Sequence, residues 1–253
     1  MNRIYCTIML GLIFLSIRPN ISFLDYEALQ DALIRHFDSL DCMDDQRNIY
    51  RDMYGDEHIM IDKEQDFITV GLGSNCQPAL NTRKNNIRFF AAPFDWCITP
   101  YRALYHYMHS DFKDFFKREN LTAAKSEYKT WVLDKQSGMI FNHDFFNNES
   151  STIDNNYELQ RLKYSRRIKR LYAEINSGKH VYFIRFLEIT KPQALELYKL
   201  LKNKFPRVPF TLIVIGENPQ QFGVNWNIPH IKNYLGTPVW ANLCRDIAAG
   251  VLK

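Results

Sequence analysis

The chain has 253 residues, of which 46% are hydrophobic, 24% charged and 14% aromatic. That is the composition of a soluble globular protein with apolar material for one good-sized domain or two small ones. A formal net charge of +4 is too small to argue for a nucleic-acid partner, and none is expected.

The N-terminus opens with polar Asn2 and Arg3, runs without a charge from Ile4 to Ile17, and closes on Arg18-Pro19-Asn20. The run is shorter than the roughly 20 residues of a membrane-spanning helix and fits the apolar region of a secretory signal peptide. The expectation is a signal peptide over 1–22, export to the periplasm or medium, and no stable membrane span after its removal. Residues 23–65 are charged, with Leu29, Leu33 and Phe37 at helical spacing, and predict an amphipathic N-terminal cap. Residues 66–253 then form the main domain.

Phe67 to Leu72 is apolar and β-branched and meets Gly73-Ser74-Asn75, which predicts a buried strand and a tight turn. Pro78 suits the first turn of a helix. Ile87 to Ala92 is a second apolar run, stopped by Pro93. The aromatic spacing from Pro100 to Phe116 predicts a helical pair whose aromatics belong to the core. Residues 142–156 are rich in Asn, Asp and Ser and predict a loop. A long amphipathic helix follows over Tyr157–Asn176, ended by Ser177-Gly178. Its Arg166-Arg167-Ile168-Lys169-Arg170 cluster is expected to be a solvated face. His180–Phe186 predicts a strand, and Thr190-Lys191-Pro192-Gln193 a capping box opening a helix to Phe205. Phe210–Ile215 and His230–Leu235 predict further strands, and Ala241–Leu252 a last helix. Strands apolar on both faces, alternating with helices, predict an α/β fold: a mostly parallel sheet flanked by helices in Rossmann-like order.

The chemistry concentrates at Gly71-Leu72-Gly73-Ser74-Asn75-Cys76. A dinucleotide-binding reading of G-x-G-x-x-C is weakened because the third position calls for Gly or Ala, and Cys76 stands there. A Ser74 esterase needs a late Asp and His, and no His follows His230. A buried structural thiol is the bland alternative. The remaining reading is a thiol nucleophile. Cys76 at a helix start meets unpaired N–H groups and a positive dipole, which predict a lowered thiol pKa and donors for an oxyanion. Ser74 or Asn75 adds a donor. His143, at the start of the polar loop, is the candidate base.

The segments Val70 to Ala79 (with GSNC), Ala92 to Trp96 (with PFDW), Asp111 to Phe116, Phe141 to Phe145 (with HDF) and the strand entry Lys179 to Arg185 together resemble a bacterial family of unknown function labelled as papain-like cysteine peptidases. The resemblance covers about residues 66–220. It implies Cys76 as nucleophile and His143 as its base, and a papain-like α+β arrangement as the alternative fold. Papain-like enzymes orient the His with a later Asn or Asp. Asp154, Glu188, Glu217 and Asn218 are open for that role, and Asp95 can reach His143 in space although it precedes it. Asp144 would point away from its neighbour on a strand.

The expectation is a thiol-dependent hydrolase acting on a peptide or acyl substrate through an acyl-enzyme, with no metal or organic cofactor. An acyltransferase using the same Cys–His pair and a non-catalytic binding domain are the alternatives. The cysteines Cys6, Cys42, Cys76, Cys97 and Cys244 show no zinc spacing. After signal removal four remain, enough for two disulfides in an oxidising compartment; their pairing stays open.

Overall fold

A computed structural model describes residues 65–125, 130–141, 143–144, 153–187, 189–236 and 239–252. The expected signal peptide, nearly all of the expected cap, Cys6, Cys42 and most of the Asn-rich loop lie outside the described residues. Everything described belongs to one compact unit, Ile59–Lys253.

The centre is a four-stranded parallel sheet. Its strands are β1 (Phe67–Gly71), β6 (His180–Phe186), β7 (Phe210–Gly216) and β8 (Ile231–Leu235), adjacent in that order. The register aligns Phe67 with His180, Val181 with Phe210 and Leu212 with Ile231. Alternate residues of these strands enter two separate cores. Ile68, Val70, Leu72, Val181, Phe183, Leu212 and Val214 pack in one core with helices α2 (Tyr101–His109), α3 (Ile153–Ile175) and α4 (Lys191–Lys204), through Leu104, Leu171, Leu197 and Leu201. Phe67, Tyr182, Ile184, Phe186, Ile213 and Ile215 pack in the other with α6 (Trp240–Ala248), through Trp240, Leu243 and Ile247. Two buried faces explain why these strands read as continuous apolar runs. The fold is α/β, as the alternation in the sequence implies.

Helix α1 (Gln77–Lys84) follows β1, and the short α5 (Pro219–Phe222) follows β7. The capping box at α4 is present: Thr190 Oγ1 accepts from the Gln193 N–H, and Gln193 Oε1 accepts from the Thr190 N–H. Long runs with clear caps are thus where the expected elements are met.

A second, antiparallel sheet was not anticipated. It contains β2 (Cys97–Ile98), β3 (Leu121–Lys125), β4 (Thr130–Asp134) and β5 (Ile140–Phe141) in the order β2-β5-β4-β3. Two of its strands are only two residues long, too short to show an alternating pattern. The pair matters because Cys97 stands opposite Phe141.

Three other expectations are corrected. Between the end of α2 and Phe116 the chain forms no second helix. Asp111, Phe112, Asp114 and Phe116 take left-handed φ values of 55°, 58°, 59° and 58°, which a right-handed helix cannot contain. The aromatics of this stretch are core nonetheless: Phe112 packs on Phe94 and Phe116 on Phe141, with ring centres 5.3 and 4.7 Å apart. Helix α3 begins at Ile153, so residues 153–156, the end of the expected loop, are helical. The basic cluster on α3 is not a solvated face, because Arg166 and Arg167 are buried. Among the described residues no helix is long and apolar enough to cross a membrane.

Candidate functional site

Strand β1 ends at Gly71, and the chain then turns sharply into α1. Gly73 and Ser74 both take left-handed φ, 70° and 79°. For glycine this is without penalty; for Ser74 it costs about 1–2 kcal/mol. Cys76 is the N-cap of α1, and its carbonyl accepts the Leu80 N–H at 2.9 Å. Strain stored in a turn just before a thiol is a reason to look for function there.

The turn is held by the segment 93–99. Thr99 N–H donates to the Ser74 carbonyl at 3.0 Å. A Cβ on Gly73 would stand 2.8 Å from Thr99 Oγ1, and one on Gly71 would stand 2.5 Å from Asp95 Oδ1. Both glycines are therefore needed for close approach. The buried Arg185 ties the two segments together, donating to the Leu72 carbonyl and to the Thr99 carbonyl, each at 2.8 Å. A lone Arg in the apolar strand HVYFIRF was the sequence signal for this clamp. Strand patterns are read by their apolar members, so a single charged residue within one carries little weight.

Asp95 belongs to the same segment and is buried. Its Oδ2 accepts from Arg88 Nε at 3.1 Å, Arg88 Nη2 at 2.9 Å and the Ala92 N–H at 2.9 Å. Its Oδ1 faces Gly71. Trp96, next in the chain, has a left-handed φ of 65°, an outlier for a bulky residue. His143 packs against the Trp96 ring edge to face, with centres 6.0 Å apart. The antiparallel Cys97–Phe141 register carries residue 143 toward residue 95. The Cys76 turn and the His143 segment thus both pack on the Pro93–Thr99 segment. Among the described residues Trp96 Nε1 and Thr99 Oγ1, buried there, find no hydrogen-bond partner, and such orphans call for an explanation.

Asn75 Oδ1 accepts the Gln77 N–H at 2.9 Å, and Pro78 has no N–H to offer. The start of α1 therefore presents fewer N–H groups than its sequence position alone suggests. Ser74 is buried, whereas Asn75 and Cys76 are partly exposed.

Three free cysteines are described. Cys97 and Cys244 are buried, and Cys76 alone among them is partly exposed. Burial pushes the Cys76 thiol above its ordinary value, and its own backbone hydrogen bond lowers it by less. The lowered pKa expected from the helix start is not met, because desolvation outweighs the N–H contribution. Burial, with Asp144 nearby, pushes Cys97 up to about 12, and burial does the same to Cys244.

Asp144, beside His143, turns inward. Its Oδ1 accepts from Lys163 Nζ, and its Oδ2 from the Tyr164 hydroxyl at 2.5 Å. Among the described residues no cluster of three or more His, Cys, Asp or Glu could hold a metal ion.

No curated protein and no solved structure matches the chain. Over residues 68–214 it matches the model of a family described as "putative papain-like cysteine peptidase", and the chain belongs to that family.

Proposed function

We propose that the protein is a thiol-dependent hydrolase that cleaves a peptide or related acyl substrate through an acyl-enzyme on Cys76. The observation that carries this reading is the partly exposed thiol of Cys76 at the N-cap of α1, directly after the strained Gly73-Ser74 turn. Family membership supports the substrate class.

Because burial keeps Cys76 a thiol at neutral pH, attack requires a base at the moment of reaction rather than a preformed thiolate. His143 takes the thiol proton as Sγ bonds to the carbonyl carbon, and returns it to the leaving group as the scissile bond breaks. Water then attacks the thioester, giving a proton to His143. The S–C bond breaks and the thiol re-forms. The Cys76 N–H and the Asn75 amide N–H are the candidate donors to the oxyanion. Asp95 serves this site through the turn it holds with Arg88.

The test uses p-nitrophenyl acetate, peptides and thioesters, with peptide mapping of the acylated residue. Acetylation of Cys76 and peptide turnover, both lost in Cys76→Ala, support the hydrolase. Transfer of the acyl group from a thioester to an acceptor other than water, without peptide cleavage, would make the protein a transferase. No acetylation of Cys76 by the ester would leave a binding domain.

A further inference from the structure

Tyr164 on α3 is the node of a buried network that the Cys76 chemistry does not itself use. Its hydroxyl donates to Asp144 Oδ2 at 2.5 Å and lies 3.1 Å from Cys97 Sγ. Asp144 follows His143, and Cys97 follows Trp96, the residue His143 packs on. One hydroxyl therefore touches both segments that flank the candidate base. Lys163 pairs with Asp144 from the same helix, and the Arg167 guanidinium lies 5.6 Å from the Tyr164 ring centre. Tyr164 and Arg167 are among the largest fully buried or nearly buried side chains.

Such a cluster is not what stability alone selects. Buried charges replaced by apolar groups of similar volume often leave a protein as stable or more so, and their attested use is to fix one arrangement. Here the arrangement fixed is local. Residues 143 and 144 form no helix or strand, yet Asp144 cannot leave its site without breaking its bonds to both Lys163 and Tyr164. Its anchoring holds the neighbouring Cα of His143 to within about 3.8 Å of a fixed point. The Trp96 ring limits the imidazole on one side.

We propose that Tyr164 and Asp144 are positioning residues that hold His143 in line with Cys76, with α3 as the rigid support. This rests on His143 being the base for Cys76.

The experiment follows acetylation of Cys76 by p-nitrophenyl acetate across pH in the full chain, with thermal unfolding measured in parallel. The variants are Tyr164→Phe, Asp144→Asn, His143→Ala and wild type. Tyr164→Phe keeps the ring and removes only the hydroxyl. The expected result is a roughly tenfold lower rate, part of the 10²–10⁴-fold that a positioned base supplies, with a pH profile shifted toward that of His143→Ala. Asp144→Asn should do the same, and provides the answer if Tyr164→Phe does not fold. Variants that lower the melting temperature but keep the wild-type rate and pH profile would overturn the positioning role while leaving the base intact. A His143→Ala protein with the wild-type profile would remove the base, and the positioning role with it.

Discussion

Asn75 carries two candidate tasks in one amide, and they can be separated. Its Oδ1 caps the Gln77 N–H, so Asn75→Ala should cost about 1 kcal/mol, read as a lower urea midpoint. Asn75→Asp keeps the accepting oxygen and puts a negative charge at a helix start, where it is tolerated, but removes the N–H donor. Its stability should stay near wild type while Cys76 acetylation falls about 10²-fold, the usual loss of one oxyanion donor. An Asn75→Asp protein with an unchanged rate assigns Asn75 to capping alone. Asp95 makes the opposite case. Three hydrogen bonds converge on its Oδ2, so Asp95→Ala strands a buried Arg88 and should cost about 3–5 kcal/mol. Equilibrium denaturation measures it, and a loss under 1 kcal/mol would mean that the turn is held by other groups.

At the scale of elements, the site is a strand, a turn and a helix pressed against the Pro93–Thr99 segment. Gly73→Ala tests that contact without touching the sulfur. The new Cβ would meet Thr99 Oγ1 and Cβ at 2.8 and 2.9 Å, on a backbone with φ of 70°. The left-handed strain alone is about 1–2 kcal/mol, and the displaced turn should lower Cys76 acetylation at least tenfold. A fully active Gly73→Ala protein would show that the turn geometry is not needed. The local sequence made β1, the turn and α1 legible, because apolar β-branched residues, two glycines and a proline act within a few positions of one another. The antiparallel sheet was not legible, since two-residue strands carry no periodicity and owe their existence to distant partners. Nor was the burial of Arg166 and Arg167. A run of charges looks solvated until groups such as Asp144, whose charge acts on Arg167, arrive from another part of the chain.

Over the whole molecule, buried titrating groups set the pH range of stability. Burial alone would raise the Asp144 carboxyl. Lys163 and Arg167 beside it, with hydrogen bonds from Lys163 and Tyr164, hold it below the ordinary carboxylate value. Its contribution is therefore complete above the unfolded value of about 3.9 and is lost as pH falls through the lower folded one. Asp144→Asn should narrow the difference in urea midpoint between pH 7 and pH 3. Cys97 and Cys244, pushed up to about 12, act at the other end. Their contribution is complete below the unfolded value of about 8.5 and declines as pH rises from there toward 12. Cys244→Ala should flatten the loss of stability between pH 8.5 and 10; an unchanged slope would mean that other groups, such as the buried tyrosines, dominate it. The parallel sheet was readable at this scale because its strands are buried on both faces. The packing of His143 on Trp96 was not, since it depends on the Cys97–Phe141 register.

The central claim is that Cys76 is a nucleophile whose proton is taken by His143, and single-turnover acetylation of Cys76 by p-nitrophenyl acetate tests it most directly. The account predicts a Cys76 acetyl adduct located by peptide mapping and absent in Cys76→Ala. It also predicts a rate that falls as pH drops and the imidazole is protonated, and a loss of about 10²-fold or more in His143→Ala. Acetylation of Cys76 at the same rate and with the same pH profile in His143→Ala would contradict it.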